Sequence, residues 1–283
     1  DKGDSQEIEV NPHNPSSSNE DNFASASINQ SLTAEEKIDL YDQMVRIRRF
    51  EERSLRSYQQ GHIGGFLHLY IGQEAVAVGS IDSLEGKDFI VTHYRDHGHA
   101  IARGLSTDGL MAELFGKETG VSKGKGGSMH LFDSDKNFMG GHAIVGAQMP
   151  LAAGFALASQ YRKDDAVTMV YFGDGATNQG TFHETMNLAS VWKLPMIFFL
   201  ENNFYGMGTS VERIRSNGKS FSNLAEGYGI PSTVVDGMDV IAVKETTKEV
   251  VDKVRKGNGP ALIEATTFRF QGHSMADPAK YRD

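Results

Sequence analysis

From Pro150 onward, short apolar runs alternate with stretches that carry apolar residues at helical spacing. "AVTMVYF" (166–172) and "PMIFFLE" (195–201) are apolar almost throughout, the pattern of strands buried on both faces. "STVVDG" and "ALIEATTFRF" read as further strands. Between them, "PLAAGFALASQYR", residues 177–192 and "VIAVKETTKEVVDKVRKG" read as helices. This alternation predicts an α/β fold with a mostly parallel central sheet and helices on both faces.

The first half is less regular. "SLTAEEKIDLYDQMVRIRRFEERSLRSYQQG" predicts a helix started by Ser31 or Thr33, with Leu40, Met44, Ile47 and Leu55 near helical spacing and Gly61 at its end. "QEAVAVGSIDSL" predicts a second helix, "DFIVTHYRDHGHAIARG" a strand, loop and helix, and Met111 to Phe115 another helix. Residues 116–142 form a glycine-rich segment of a length that is usually functional or disordered. Residues 1–30 are acidic and poor in large apolar side chains, so the expectation is a disordered tail followed by one α/β domain over 31–283.

Composition narrows the function. The hydrophobic share of 39% and charged share of 23% are those of an ordinary globular protein. No apolar run nears the roughly 18 residues of a membrane span, and a net charge of -9 argues against a nucleic-acid surface. Zero cysteines exclude disulfides and thiolate chemistry, so any metal must be held by oxygen or histidine. The acidic tail is unlike a transit peptide, which favours a bacterial cytoplasm and leaves a processed organellar matrix protein open. A start on Asp1 and an end on "AKYRD" fit a processed or truncated chain.

The candidate chemistry lies at two strand ends. Asp174 follows one predicted strand and Asn203 the next, and in parallel sheets ligands sit beyond the carboxyl ends of strands. With one helical crossover between them, both side chains emerge at the same edge, where neighbouring strands are about 4.8 Å apart. A carboxylate, an amide oxygen and a backbone carbonyl such as that of Tyr205 suit magnesium with a diphosphate. "GDGATNQG" spaces its glycines two residues too widely for a dinucleotide fingerprint. An acidic side chain at that position also repels a bare pyrophosphate. The same residues could serve only as turn formers.

Gly173-Asp174-Gly175 followed by Asn202-Asn203 resembles the thiamin diphosphate motif. The string "GDGATNQG…ENNFYGMGTSVER", with "HLYIGQEA", "YRDHGHA", "SKGKGGSMH", "AIVGAQMPLAAG" and "FQGHSMADPAKYR", resembles the alpha subunits of the E1 component of two-chain pyruvate dehydrogenases. The resemblance runs from about residue 36 to the end. It implies the diphosphate-binding half of a thiamin diphosphate fold, with Asp174, Asn203 and the Tyr205 carbonyl as magnesium ligands. It places Gly175 and Ala176 at the diphosphate, Tyr94 and Arg95 at the cofactor, and Ala143 to Val145 at the aminopyrimidine, with Val145 as the wedge that bends it. His273 matches an active-site histidine on a mobile loop, and His68 one near the bound 2-oxo acid. The implied reaction is oxidative decarboxylation of pyruvate with acetyl transfer to the lipoyl group of the E2 protein. The implied assembly is a heterotetramer of two alpha and two beta subunits, because the activating glutamate of the family lies on the beta chain.

Some residues depart from the pattern. Ala143 stands where many relatives have glycine. Ser274 matches a serine that a kinase modifies in animal relatives, but the second serine is absent, with Lys280 beside Tyr281, which weighs against kinase control. Relatives also extend past this chain's end. Among the remaining signals, "HETMN" lacks the second histidine of a zincin. His97 and His99 have only Asp96 nearby in sequence, which favours structural roles over a metal site. His130 and His142 flank the glycine-rich segment and could face substrate, a partner or solvent. Lys123 and Lys125 suggest a phosphate cradle, but the P-loop spacing is not met, which favours a solvated loop near the partner interface. The functional alternatives are the alpha subunit of a branched-chain 2-oxo acid or acetoin dehydrogenase, and a non-catalytic interaction subunit of the same fold.

Overall fold

The computed structural model describes residues 27–215 and 221–282. The expected tail lies outside this range as far as residue 26, and Ser27–Ser31 form a short helix, α1. Helix α2 (Ala34–Gln59) starts at Thr33, one of the two expected positions, through a reciprocal cap. The Glu36 amide donates to the Thr33 hydroxyl at 3.2 Å, and the Thr33 amide donates to the Glu36 carboxylate at 2.7 Å.

The order continues α3 (Glu74–Asp82), β1 (Phe89–His93), α4 (His97–Ala102), α5 (Thr107–Leu114), β2 (Phe138–His142), α6 (Gln148–Arg162), β3 (Thr168–Gly173), α7 (Gly180–Trp192) and β4 (Met196–Asn202). A small hairpin of β5 (Tyr205–Gly206) and β6 (Thr209–Ser210) precedes α8 (Val211–Ile214), α9 (Ser222–Glu226), β7 (Ser232–Asp236), α10 (Val240–Lys253) and β8 (Ala261–Thr266). Six strands form one sheet in the order β2-β1-β3-β4-β8-β7, and every pairing is parallel.

The period of two along the strands divides the core. Met169 and Tyr171 of β3 join Ile197, Phe199 and Ile263 in a cluster covered by α2, α3 and α10. Val170 and Phe172 join Phe198, Leu200 and Leu262 in a second cluster covered by α6 and α7. Both faces of β3 and β4 are therefore dry, which is why their sequences read as unbroken apolar runs.

Several boundaries differ from the sequence expectations. The glycine-rich segment 116–142 carries no strand signal, but "FMGGH" is an edge strand paired with β1 in register Ile90↔Phe138 and His93↔His142. Its glycines hid it, and Gly141 is required there because a Cβ would collide with the Asp96 carboxylate. Helix α6 begins before Pro150, in whose first turn the proline sits. Helix α7 starts at Gly180 rather than 177 because Asp174–Asn178 form a tight 3-10 turn. The last strand ends at Thr266, short of "TFRF".

The rest of the glycine-rich loop wraps a carboxylate. Glu113 of α5 is fully buried, and its Oε2 accepts from the Ser122 and Gly124 amides, both at 2.8 Å. Its Oε1 accepts from the amides of Gly126 at 2.7 Å and Gly127 at 3.1 Å. Gly124 has φ +72, and Gly127 φ +60. These amides hold an internal anion, and Lys123 and Lys125 are exposed, so the loop is no phosphate cradle. Replacing Glu113 by Gln turns an amide nitrogen towards backbone donors. Urea denaturation of Glu113→Gln should show a loss of about 1–3 kcal/mol, with faster hydrogen exchange at Gly124 and Gly126.

Candidate active site

Strands β3 and β4 pair in parallel from Thr168↔Met196 to Gly173↔Glu201. Asp174 and Asn203 therefore leave the sheet at one edge, side by side. They open into a cavity of about 340 Å³ whose wall includes Gly175, Ala176, Tyr205, Tyr94, Arg95, Val145 and His273. Two expected residues are not on that wall. Ala143 is half-buried in the turn after β2. His68 is buried and packs its ring 4.5 Å from that of Tyr94 and 5.1 Å from that of His273.

Asp174 is only 1% exposed, and its Oδ2 has no hydrogen-bond partner among the described residues. Burial pushes its carboxyl up to about 6. Asn203 donates from Nδ2 to Gln73 Oε1 at 3.0 Å, which fixes the amide and leaves Oδ1 with one long bond, 3.4 Å, from the Tyr205 amide. Among the described residues no group of three or more His, Asp or Glu side chains is arranged to hold a metal. A cation here must rest on one carboxylate, the Asn203 amide oxygen and backbone carbonyls, a hard-oxygen set that fits magnesium. The unpartnered carboxylate oxygen at the cavity is the feature that fits the group.

Positive charge surrounds this anion. Arg95 is buried and donates to two carbonyls, from Nη1 to Leu69 at 2.7 Å and from Nη2 to His273 at 2.8 Å. Burial lowers its pKa to about 10, which keeps it charged at neutral pH. Arg269, 1% exposed, donates from Nη1 to His273 Nδ1 at 3.1 Å and from Nη2 to the Tyr281 hydroxyl and the Met207 carbonyl, both at 3.2 Å. Asp277 closes the ring by accepting from the His273 amide and the Tyr281 hydroxyl, each at 2.6 Å. Because His273 Nδ1 accepts, the proton of the neutral ring is on Nε2. Burial, reinforced by Arg95, lowers the pKa of His273 to about 3 and that of His68 to about 2, so both rings are neutral at pH 7.

Arg269, Gln73, His93 and Glu201 also line the cavity, and the sequence reading missed them. The available signal was a charged or polar residue inside or beside apolar sequence, as in "TTFRFQG" and "FFLENN". His97 and His99 are structural, but their carboxylate partners come from far along the chain: Glu51 at 2.9 Å and Glu201 at 3.0 Å. His183 is on α7, 2.9 Å from the Tyr228 hydroxyl. His130 and His142 bond the backbone carbonyls of Gly141 and Met139, at 3.1 and 3.2 Å, rather than facing the cavity.

A sequence model of the family described as "Dehydrogenase E1 component" matches residues 42–283. The chain is 52% identical over 260 residues to the pyruvate dehydrogenase E1 component subunit alpha of Rhizobium meliloti, covering 92% of this chain and 74% of that one. It is 51% identical over 249 residues to the protein of the same name from Zymomonas mobilis, covering 88% and 70%. The alpha subunit of an acetoin:2,6-dichlorophenolindophenol oxidoreductase of Bacillus subtilis is 47% identical over 252 residues, covering 89% and 75%. Among solved structures, a transketolase from Campylobacter jejuni superimposes with a TM-score of 0.59 at 19% identity, over 81% of this chain and 37% of that one. That likeness concerns the fold alone.

The raised pKa of Asp174 has a stability consequence. With a folded value of about 6 against the ordinary aspartate value of 3.8, the folded state binds the proton more tightly than the unfolded state. Stability therefore falls as pH rises through that window, by on the order of 3 kcal/mol. Without metal, Asp174→Asn should melt at a higher temperature than the parent at pH 7, and the difference should vanish below pH 4. Equal melting of the two at pH 7 would contradict the account.

Proposed function

The chain belongs to the dehydrogenase E1 component family, among the alpha subunits of thiamin diphosphate-dependent 2-oxo acid dehydrogenases, and from that premise we propose that it is the alpha subunit of a pyruvate dehydrogenase. The observation that carries the reading is the desolvated Asp174 carboxylate, whose Oδ2 has no partner among the described residues, beside Asn203 at two adjacent strand tips. Asp174, Asn203 and the Tyr205 carbonyl would hold magnesium. Gly175 and Ala176, at the start of a helical turn, would face the diphosphate with their amides. Arg95 and Arg269 would supply the balancing charge, and Tyr94 and Val145, an exposed apolar side chain at the cavity, would contact the cofactor rings. When bound, thiamin diphosphate supplies the electron sink for loss of carbon dioxide from a 2-oxo acid.

The chain's own groups then have definite tasks. The two buried guanidinium groups draw a carboxylate into a cavity of low dielectric. His273 offers the Nε2 proton to a developing oxygen charge, and the ring of Arg269, Tyr281 and Asp277 keeps that tautomer. His68 packs against His273 off the cavity wall, and its buried Nδ1 has no partner among the described residues. Ile144, Val145, Met207 and Phe270 are exposed apolar side chains. Val145 and Met207 line the cavity itself. This chain would be the diphosphate-binding half, completed by a beta subunit, with acetyl delivered to the lipoyl domain of an E2 protein.

The 47% identity to an acetoin-oxidising relative keeps one second reading, in which the same apparatus cleaves acetoin. The non-catalytic alternative gives no reason to keep Asp174 desolvated. The test is calorimetry and turnover of the chain assembled with its beta partner. Thiamin diphosphate should bind only with magnesium, and Asp174→Ala or Asn203→Ala should weaken binding at least tenfold, about 1.4 kcal/mol. Pyruvate should be turned over faster than acetoin or branched-chain 2-oxo acids. Normal turnover by Asp174→Ala would remove the ligand assignment, and preference for acetoin would replace the substrate. Tyr281→Phe should lower kcat more than it changes KM.

A further inference from the structure

The tip of β4 carries Glu201, a carboxylate 1% exposed that lines the same cavity. Its ion-pair partners among the described residues are histidines alone. Three side chains converge on it: His93 Nε2 lies 2.5 Å from Oε2, His99 Nε2 lies 3.0 Å from Oε1, and the Tyr70 hydroxyl donates to Oε1. His93 has a fixed tautomer. The Arg95 amide donates to its Nδ1 at 3.0 Å, so the ring proton is on Nε2 and goes to Glu201.

The chain of bonds continues outward. Arg95, set by that amide contact, donates through its two terminal nitrogens to the carbonyls of Leu69 and His273. Those carbonyls belong to the two segments that bear His68 and His273. Glu201 also grips the first of these segments directly through Tyr70. A buried carboxylate is costly unless its oxygens are hydrogen-bonded. Its satisfied network here joins four separate stretches of backbone.

We propose that His93 is a positioning residue, which relays the Glu201 carboxylate to the Arg95 backbone and thereby sets the spacing of His68 and His273. The effect on turnover rests on the function proposed above; the effect on the two rings does not.

Two variants cut the relay at different bonds. In His93→Asn the amide oxygen stands near the place of Nδ1, keeping the bond from Arg95 and losing Glu201. In His93→Gln the amide nitrogen stands near the place of Nε2, keeping Glu201 and losing Arg95. Both are made in the full chain assembled with its beta partner and compared with the parent by turnover, melting temperature and histidine-ring 15N spectra. Both should lower kcat by about tenfold or more, since a misplacement near 1 Å can cost about a hundredfold, and both should displace the His68 and His273 signals. Parent-like turnover and spectra in either variant would show that one bond suffices and overturn the relay. A lower melting temperature with His68 and His273 signals unmoved would assign His93 to packing and overturn it as well. If the parent pair decarboxylates no 2-oxo acid, the functional reading fails, and the two ring signals still decide the relay.

Discussion

A carboxylate withdrawn from water, with one oxygen left without a partner among the described residues, governs the architecture around it. Asp174 can hold that position only because β3 and β4 are dry on both faces and pair in strict register up to Gly173↔Glu201. Strand tips anchored in this way cannot drift apart, so the separation of Asp174 and Asn203 is set by the sheet itself. The desolvation that raises the pKa of Asp174 disfavours the empty, ionised site. A cation bound there would relieve that cost and so couple binding to folding.

The charges beyond the strand tips follow a second rule. Arg95 and Arg269 are buried, yet their terminal nitrogens bond carbonyls, a hydroxyl and an imidazole rather than carboxylates. Their charge is thus left available to an anionic ligand instead of being cancelled within the chain. The same bonds tie down the loops that carry His68 and His273. In the proposed function, holding loops and attracting anions would be one task of one pair of side chains.

The fold was legible because dry parallel strands and covering helices leave periodic signatures: Val170 and Phe198 announce their strands without any tertiary information. The strand Phe138–His142 was not, because a backbone that must pass close to Asp96 selects glycine, the residue that mimics a loop. At the site, Asp174, Asn203 and Tyr205 could be found because strand ends place them together. Tyr94, Arg95, Val145 and His273 came from resemblance and do meet at the cavity, whereas Ala143 and His68 stand off its wall. Arg269 and Glu201 were marked only as charged residues beside apolar runs, and their roles with His93 were illegible, since partners as far apart as Tyr70 and Glu201 have no mark in local sequence. For the same reason His97 and His99 looked poor in carboxylates until the fold brought Glu51 and Glu201 to them.

The loop around Glu113 has a wider implication. A turn whose amides already enclose a side chain from the same polypeptide is closed to phosphate in solution, however closely its glycines and lysines imitate a nucleotide receptor. Such a composition records how tightly a chain can curl around something negative, and here the occupant is native to the chain.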